Sequence, residues 1–132
     1  MNWGKVLLTG VVGGVVVWLY SFVMHGIIMS STYAKYTTLF IQGEGNPFWF
    51  LLVAACMSTA LAMIFAKTRS SWAEGIKGGL TFGAFAGLVG FFAQFYAPLI
   101  FNGFPYYLAW CWGGIDLLGW TIFGAVASFI IK

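Results

Sequence analysis

Four long apolar runs, separated by short breaks rich in polar residues, glycine and proline, organise this chain from end to end. The runs lie near residues 4–30, 48–67, 72–97 and 106–131. Each exceeds the roughly 18 mainly apolar residues that carry a helix across a hydrocarbon core about 30 Å thick. The pattern predicts an all-α protein: a four-transmembrane-helix antiparallel bundle, with residues 1–132 forming a single integral-membrane domain. Lys5 ahead of the first run resembles the start of a secretory signal. The apolar core that follows is about twice the usual length and no Ala-x-Ala-like site succeeds it, so a retained helix is expected.

The breaks carry their own signals. The segment from Ser31 to Pro47 opens with aromatic and polar residues around Tyr33 and Tyr36 that suit a short helix or turn at headgroup level, and Gln42 to Pro47 ends it. The second helix is expected just after Pro47, anchored at the interface by Trp49. Ser71-Trp72-Ala73-Glu74 has the form of a capping box, so the third helix is expected to start sharply there, with the second and third helices as antiparallel neighbours. Glu74 is read as a cap and not as a catalytic acid. Pro98 is expected to end the third helix, and the aromatics Tyr106, Tyr107, Trp110 and Trp112 to form an interfacial belt.

Composition excludes a soluble domain: 61% of residues are hydrophobic and 7% charged, against roughly 25% charged in ordinary soluble domains. The net charge of +3 is too small and scattered to bind nucleic acid. It serves orientation instead. Lys5, Lys67, Arg69, Lys77 and Lys132 fall on one side of a four-span topology, and Lys35, offset by Glu44, falls on the other, so both termini are expected in the cytoplasm. Cys56 and Cys111 lie inside spans without metal-motif spacing and are expected to be free, buried thiols; no metal site is expected.

Small residues mark the packing faces. Gly75, Gly79, Gly83 and Gly87 recur every four residues in the third span, a glycine zipper that lets another helix approach until backbones touch. Gly10 and Gly14 share a face of the first span with Trp18, Ser21 and His25, and the second span offers Ala55, Ser58, Thr59, Ala62 and Ala66. These faces are expected to meet in one interior.

Three strongly polar groups lie on those faces: His25, Gln94 and Asp116, all in one half of the membrane. Asp116 sits inside the apolar run from Trp110 to Trp120, where a charge costs at least about 2.5 kcal/mol unless paired. It can be a neutral hydrogen-bond donor to a carbonyl or to Gln94, an ion-pair partner of His25, or a group that loads and releases a proton or cation. His25 is a hydrogen-bonding residue or, alternatively, an axial ligand to a haem or chlorophyll-type macrocycle. No cofactor is predicted beyond that alternative. No serine–histidine–carboxylate set or His-Glu-x-x-His motif is present, so an enzyme is not expected.

Phe22-Val23-Met24-His25-Gly26, Tyr33, Glu74-Gly75, Tyr96-Ala97-Pro98 and Trp112-Gly113-Gly114 followed by a carboxylate together resemble small, uncharacterised four-helix bacterial membrane proteins. The resemblance spans most of the chain and implies no activity; it implies a multi-pass location in the bacterial inner membrane. The chain lacks the first-helix glutamate of small multidrug transporters and the polar motifs of fluoride channels.

The expected function is a non-catalytic accessory or scaffolding subunit of a larger membrane complex. The alternative is a small homodimeric proton- or cation-coupled transporter or channel using Asp116. The expected partners are the lipid bilayer and other membrane subunits or a second copy of the chain, with no nucleic acid.

Overall fold

The computed structural model describes every residue from Met1 to Lys132 except Glu44, so the expected offset of Lys35 by Glu44 lies outside the described residues. The fold is all-helical, with no strand among the described residues. Four helices are long and apolar enough to cross a membrane: α1 (Trp3–Ile28), α3 (Pro47–Lys67), α4 (Gly75–Ile100) and α5 (Tyr106–Ile130). A one-turn helix, α2 (Ser30–Tyr33), follows α1. The chain is therefore a multi-pass membrane protein.

Local chemistry sets the helix ends. The Asn2 side chain accepts from the Lys5 amide at 3.1 Å and opens α1. Asn46 does the same for the Phe48 amide at 3.0 Å, ahead of Pro47, whose missing N–H costs nothing in the first turn. The capping box expected at Ser71–Glu74 does not form. Ser71 is drawn into a 3-10 turn, Arg69–Ser71, by its amide bond to the Thr68 carbonyl at 2.9 Å, and the Glu74 side chain caps nothing. Helix α4 instead starts at Gly75, whose φ of +65° suits a residue without Cβ.

Pro98 does not end the third span either. The Gln94 carbonyl, denied a bond from the proline nitrogen, takes the Ala97 amide in a 3-10 turn, Gln94–Tyr96, and the helix resumes over Ala97–Ile100 with Pro98 in its first turn. The far end of α1 departs from α geometry as well: Phe22–Ile28 is a π segment, closed by the Met29 amide on the Met24 carbonyl at 3.0 Å.

The small-residue faces do not share one interior, because each packs within its own helix pair. A Cβ at Gly10 would meet Thr59, and one at Gly14 would touch the Ala55 backbone, so these two glycines seat α1 on α3. A Cβ at Gly79, Gly83 or Gly87 would run into Gly124, Trp120 or Leu117 backbone atoms, so the glycines of the third span seat α4 on α5. Gly75 stands apart from that stripe, with nothing near the place its Cβ would occupy. Helix α1 joins the pairs: Gly13 receives the Phe123 ring and Tyr20 lies on Gly119. At the end that carries Lys67, Phe65 of α3 meets Phe82 of α4 at 4.9 Å between ring centres, beside Trp72. This apolar core also holds Val6, Val17 and Ala127.

Candidate functional site

The polar groups of the spans gather toward the opposite end, beside α2. The π segment and the turn that follows it fold Met29 and Tyr33 back over His25. The Tyr33 hydroxyl is the hub: His25 Nδ1 lies 2.5 Å from it, Trp112 Nε1 donates to it at 2.7 Å, and it lies 3.6 Å from Met29 Sδ. The His25 and Tyr33 rings stack at 6.0 Å, and Trp112 stands edge-on to both. Burial pushes the Tyr33 hydroxyl up to about 12, with the Trp112 bond acting against that shift; Tyr33 is therefore a neutral hydroxyl at physiological pH.

One layer deeper, Gln94 Nε2 of α4 donates to Asp116 Oδ2 of α5 at 2.5 Å. Gly90 makes room for this pair: a Cβ there would come within 3.2 Å of the Asp116 Cβ. The 3-10 turn forced by Pro98 begins at Gln94. Tyr20 of α1 brings its hydroxyl into the same region, where it is buried without a hydrogen-bond partner and within Coulombic reach of Asp116. His25 is also within Coulombic reach of Asp116.

The three sequence candidates thus divide between two adjoining clusters. Gln94 and Asp116 are bonded to each other, whereas His25 is bonded to Tyr33. The aromatic belt loses one member, since Trp112 turns inward as a donor and only Tyr106, Tyr107 and Trp110 stay exposed. Tyr33 as hub and Tyr20 beside Asp116 escaped sequence reasoning. The available signal for Trp112 was its position one helical turn from Asp116, on the face that the carboxylate shares.

Elsewhere, Cys56 and Cys111 are exposed on the helix surfaces and not buried, because the small-residue seams occupy the inward faces. Among the described residues, no three His, Cys, Asp or Glu side chains come close enough to hold a metal ion. Arg69 donates to the Trp72 and Ala73 carbonyls at 3.3 and 3.2 Å and lies over the Phe65 ring, which fixes the turn into α4.

His25 could hold a macrocyclic metal only through Nε2, since Nδ1 is engaged by Tyr33. Chemically, Tyr33 and His25 share a hydrogen bond along which a proton can move, and Asp116 is held as the acceptor of Gln94. No family model, curated protein or solved structure matches the chain.

Proposed function

We propose that this chain is a non-catalytic subunit of a larger membrane assembly: an antiparallel four-helix unit with both termini in the cytoplasm of a bacterial inner membrane. The observation that carries this reading is how little of α3 and α4 the chain covers itself. Only 17% of the apolar window of α3 and 11% of that of α4 are buried. Helix α4 also presents an open apolar groove lined by Leu80, Ala84, Phe85 and Leu88 with Thr121 of α5, a shape suited to the ridge of another helix. The orientation is supported by Lys5, Lys67, Arg69, Lys77 and Lys132 falling on one side of the four spans.

A photo-crosslinking residue placed at Phe85 in intact membranes tests this. The expected product is one discrete adduct with a different polypeptide. Adducts with lipid alone, or with a second copy of the chain alone, would contradict it.

A second reading, coupling of a proton or cation to transport through Asp116, is favoured by the unpartnered hydroxyl of Tyr20, whose ring lies on Gly119, about one helical turn from that carboxylate. A buried hydroxyl without a partner costs about 1–3 kcal/mol, which an exchangeable water or ion beside Asp116 would offset. In liposomes Asp116→Asn is expected to abolish pH-dependent flux while leaving the fold intact. Unchanged flux removes this reading.

A further inference from the structure

We propose that the end of the bundle carrying Lys67 holds a binding site for an anionic phosphate group, built from Lys67, Arg69, Ser70 and Lys132. The site is separate from the polar clusters at the other end, and it depends neither on assembly with another subunit nor on the chemistry of Asp116.

The turn from α3 into α4 and the end of α5 border an open cleft of about 690 Å³ lined by Lys67, Arg69, Ser70, Trp72, Glu74 and Lys132. That volume falls within the roughly 300–1,000 Å³ of ordinary ligand pockets, room for a polar headgroup as well as a lone ion. The chain has six lysine and arginine residues, and half of them line this one cleft, against a single carboxylate side chain, that of Glu74. Cations gathered around a concave surface concentrate anions there.

Arg69 is already fixed in place. Both of its hydrogen bonds leave from Nη1, to the Trp72 and Ala73 carbonyls at 3.3 and 3.2 Å, and its guanidinium carbon stands 5.6 Å from the centre of the Phe65 ring. Its Nε is buried without a hydrogen-bond partner. A guanidinium carries five N–H donors in a rigid fork, and its Nε–Nη2 edge can meet two phosphate oxygens at once. Fixing the turn uses Nη1 alone and leaves the buried Nε unexplained; an oxygen of the ligand would fill it. Helix α4 starts beside the cleft with no side-chain cap, so the positive end of its dipole adds to the attraction.

The level of the cleft selects phosphate among anions. Lys67 is the last residue of α3, and Lys132 lies just beyond the end of α5 at Ile130, so the cleft opens at the boundary of the spans, where lipid phosphates lie. Basic pockets between helices at that level hold anionic headgroups. A lipid headgroup and a free phosphate present the same oxygens to Arg69, to the two lysines and to the Ser70 hydroxyl; they differ in the apolar tail.

The full chain in a neutral detergent is titrated with phosphatidylglycerol, with phosphatidylcholine of the same acyl chains and with inorganic phosphate, and bound adducts are counted by native mass measurement. One phosphatidylglycerol per chain is expected to bind about tenfold more tightly than phosphatidylcholine. Inorganic phosphate that displaces the lipid supports a free anion as ligand; lipid binding that resists phosphate supports the headgroup. Lys67 and Lys132 are exposed, so the double variant Lys67→Gln with Lys132→Gln leaves the packing intact; it is expected to weaken binding about thirtyfold. Arg69→Lys keeps the charge, loses the fork and is expected to weaken binding about tenfold. Glu74→Gln removes the opposing charge and is expected to tighten it about threefold. Unchanged affinity in the double lysine variant overturns the proposal, as does equal binding of the two lipids with no phosphate adduct.

Discussion

Asp116 illustrates how a carboxylate is tolerated inside an apolar helix. Its partner comes from the neighbouring helix, and the space for the pair comes from Gly90. Asp116→Asn keeps the acceptor for Gln94 and is expected to leave stability within about 0.5 kcal/mol, whereas Asp116→Leu strands the Gln94 amide and is expected to cost about 1–3 kcal/mol. Unfolding in mixed micelles distinguishes the two. The glycines divide in the same way. Gly83→Val drives a side chain into the Trp120 and Thr121 backbone and is expected to weaken the fold by about 1–3 kcal/mol. Gly114→Ala, where nothing lies within 4 Å of the new carbon, is expected to be neutral.

Tyr33 carries a pH prediction. The pKa of its hydroxyl is raised to about 12 from the ordinary tyrosine value of about 10, so folding favours the protonated form. The stability this contributes is fully present below about pH 10 and is lost as the pH rises toward 12. The difference in tyrosinate absorbance between the unaltered protein and Tyr33→Phe checks the window, and a Tyr33 that ionises at 10 or below contradicts it. Sequence reasoning reached Gln94 and Asp116 because polar residues in apolar runs announce themselves. It missed Tyr33 as hub because that role depends on a loop folding back over the end of α1, which no periodicity encodes.

At the scale of elements, length and apolarity suffice to predict the four spans, since a helix crossing a membrane needs little else. Their ends are less legible. A capping box is a local preference, and at Ser71 the 3-10 turn after Lys67 overrides it. Pro98 removes one amide, and a tighter turn at Gln94 absorbs the loss without ending the helix. The partners of the glycine faces were illegible for another reason: four-residue spacing of glycine states that a backbone will come close but not whose. The π segment leaves no sequence signature at all.

Deleting Gly26 from the π segment is expected to restore a regular α turn and shift His25 against Met29 and Tyr33 by one residue, about 100° of rotation. The Tyr33 contact should then disappear from the His25 ring-nitrogen spectrum. A spectrum identical to that of the unaltered protein would show that the segment does not set this geometry.

For the whole molecule, the decisive contrast lies between the two ends and the outer surfaces. The end that carries Lys67 is closed by Phe65, Phe82 and Trp72; the other holds the polar clusters. Helices α1 and α5 lie between the outer pair, and α3 and α4 keep most of their apolar surface uncovered by the chain itself. Lipid can wet such surfaces, but helices in a bilayer associate through close packing and complementary grooves, and α4 presents such a groove beside Phe85. The subunit reading therefore stands or falls on what remains attached when the bilayer is removed gently. Native mass measurement of the tagged chain, released from its own membranes in mild detergent, tests this most directly. The account predicts a complex of fixed stoichiometry that contains at least one different polypeptide; a homogeneous monomer or homodimer of the 14.5 kDa chain would contradict it.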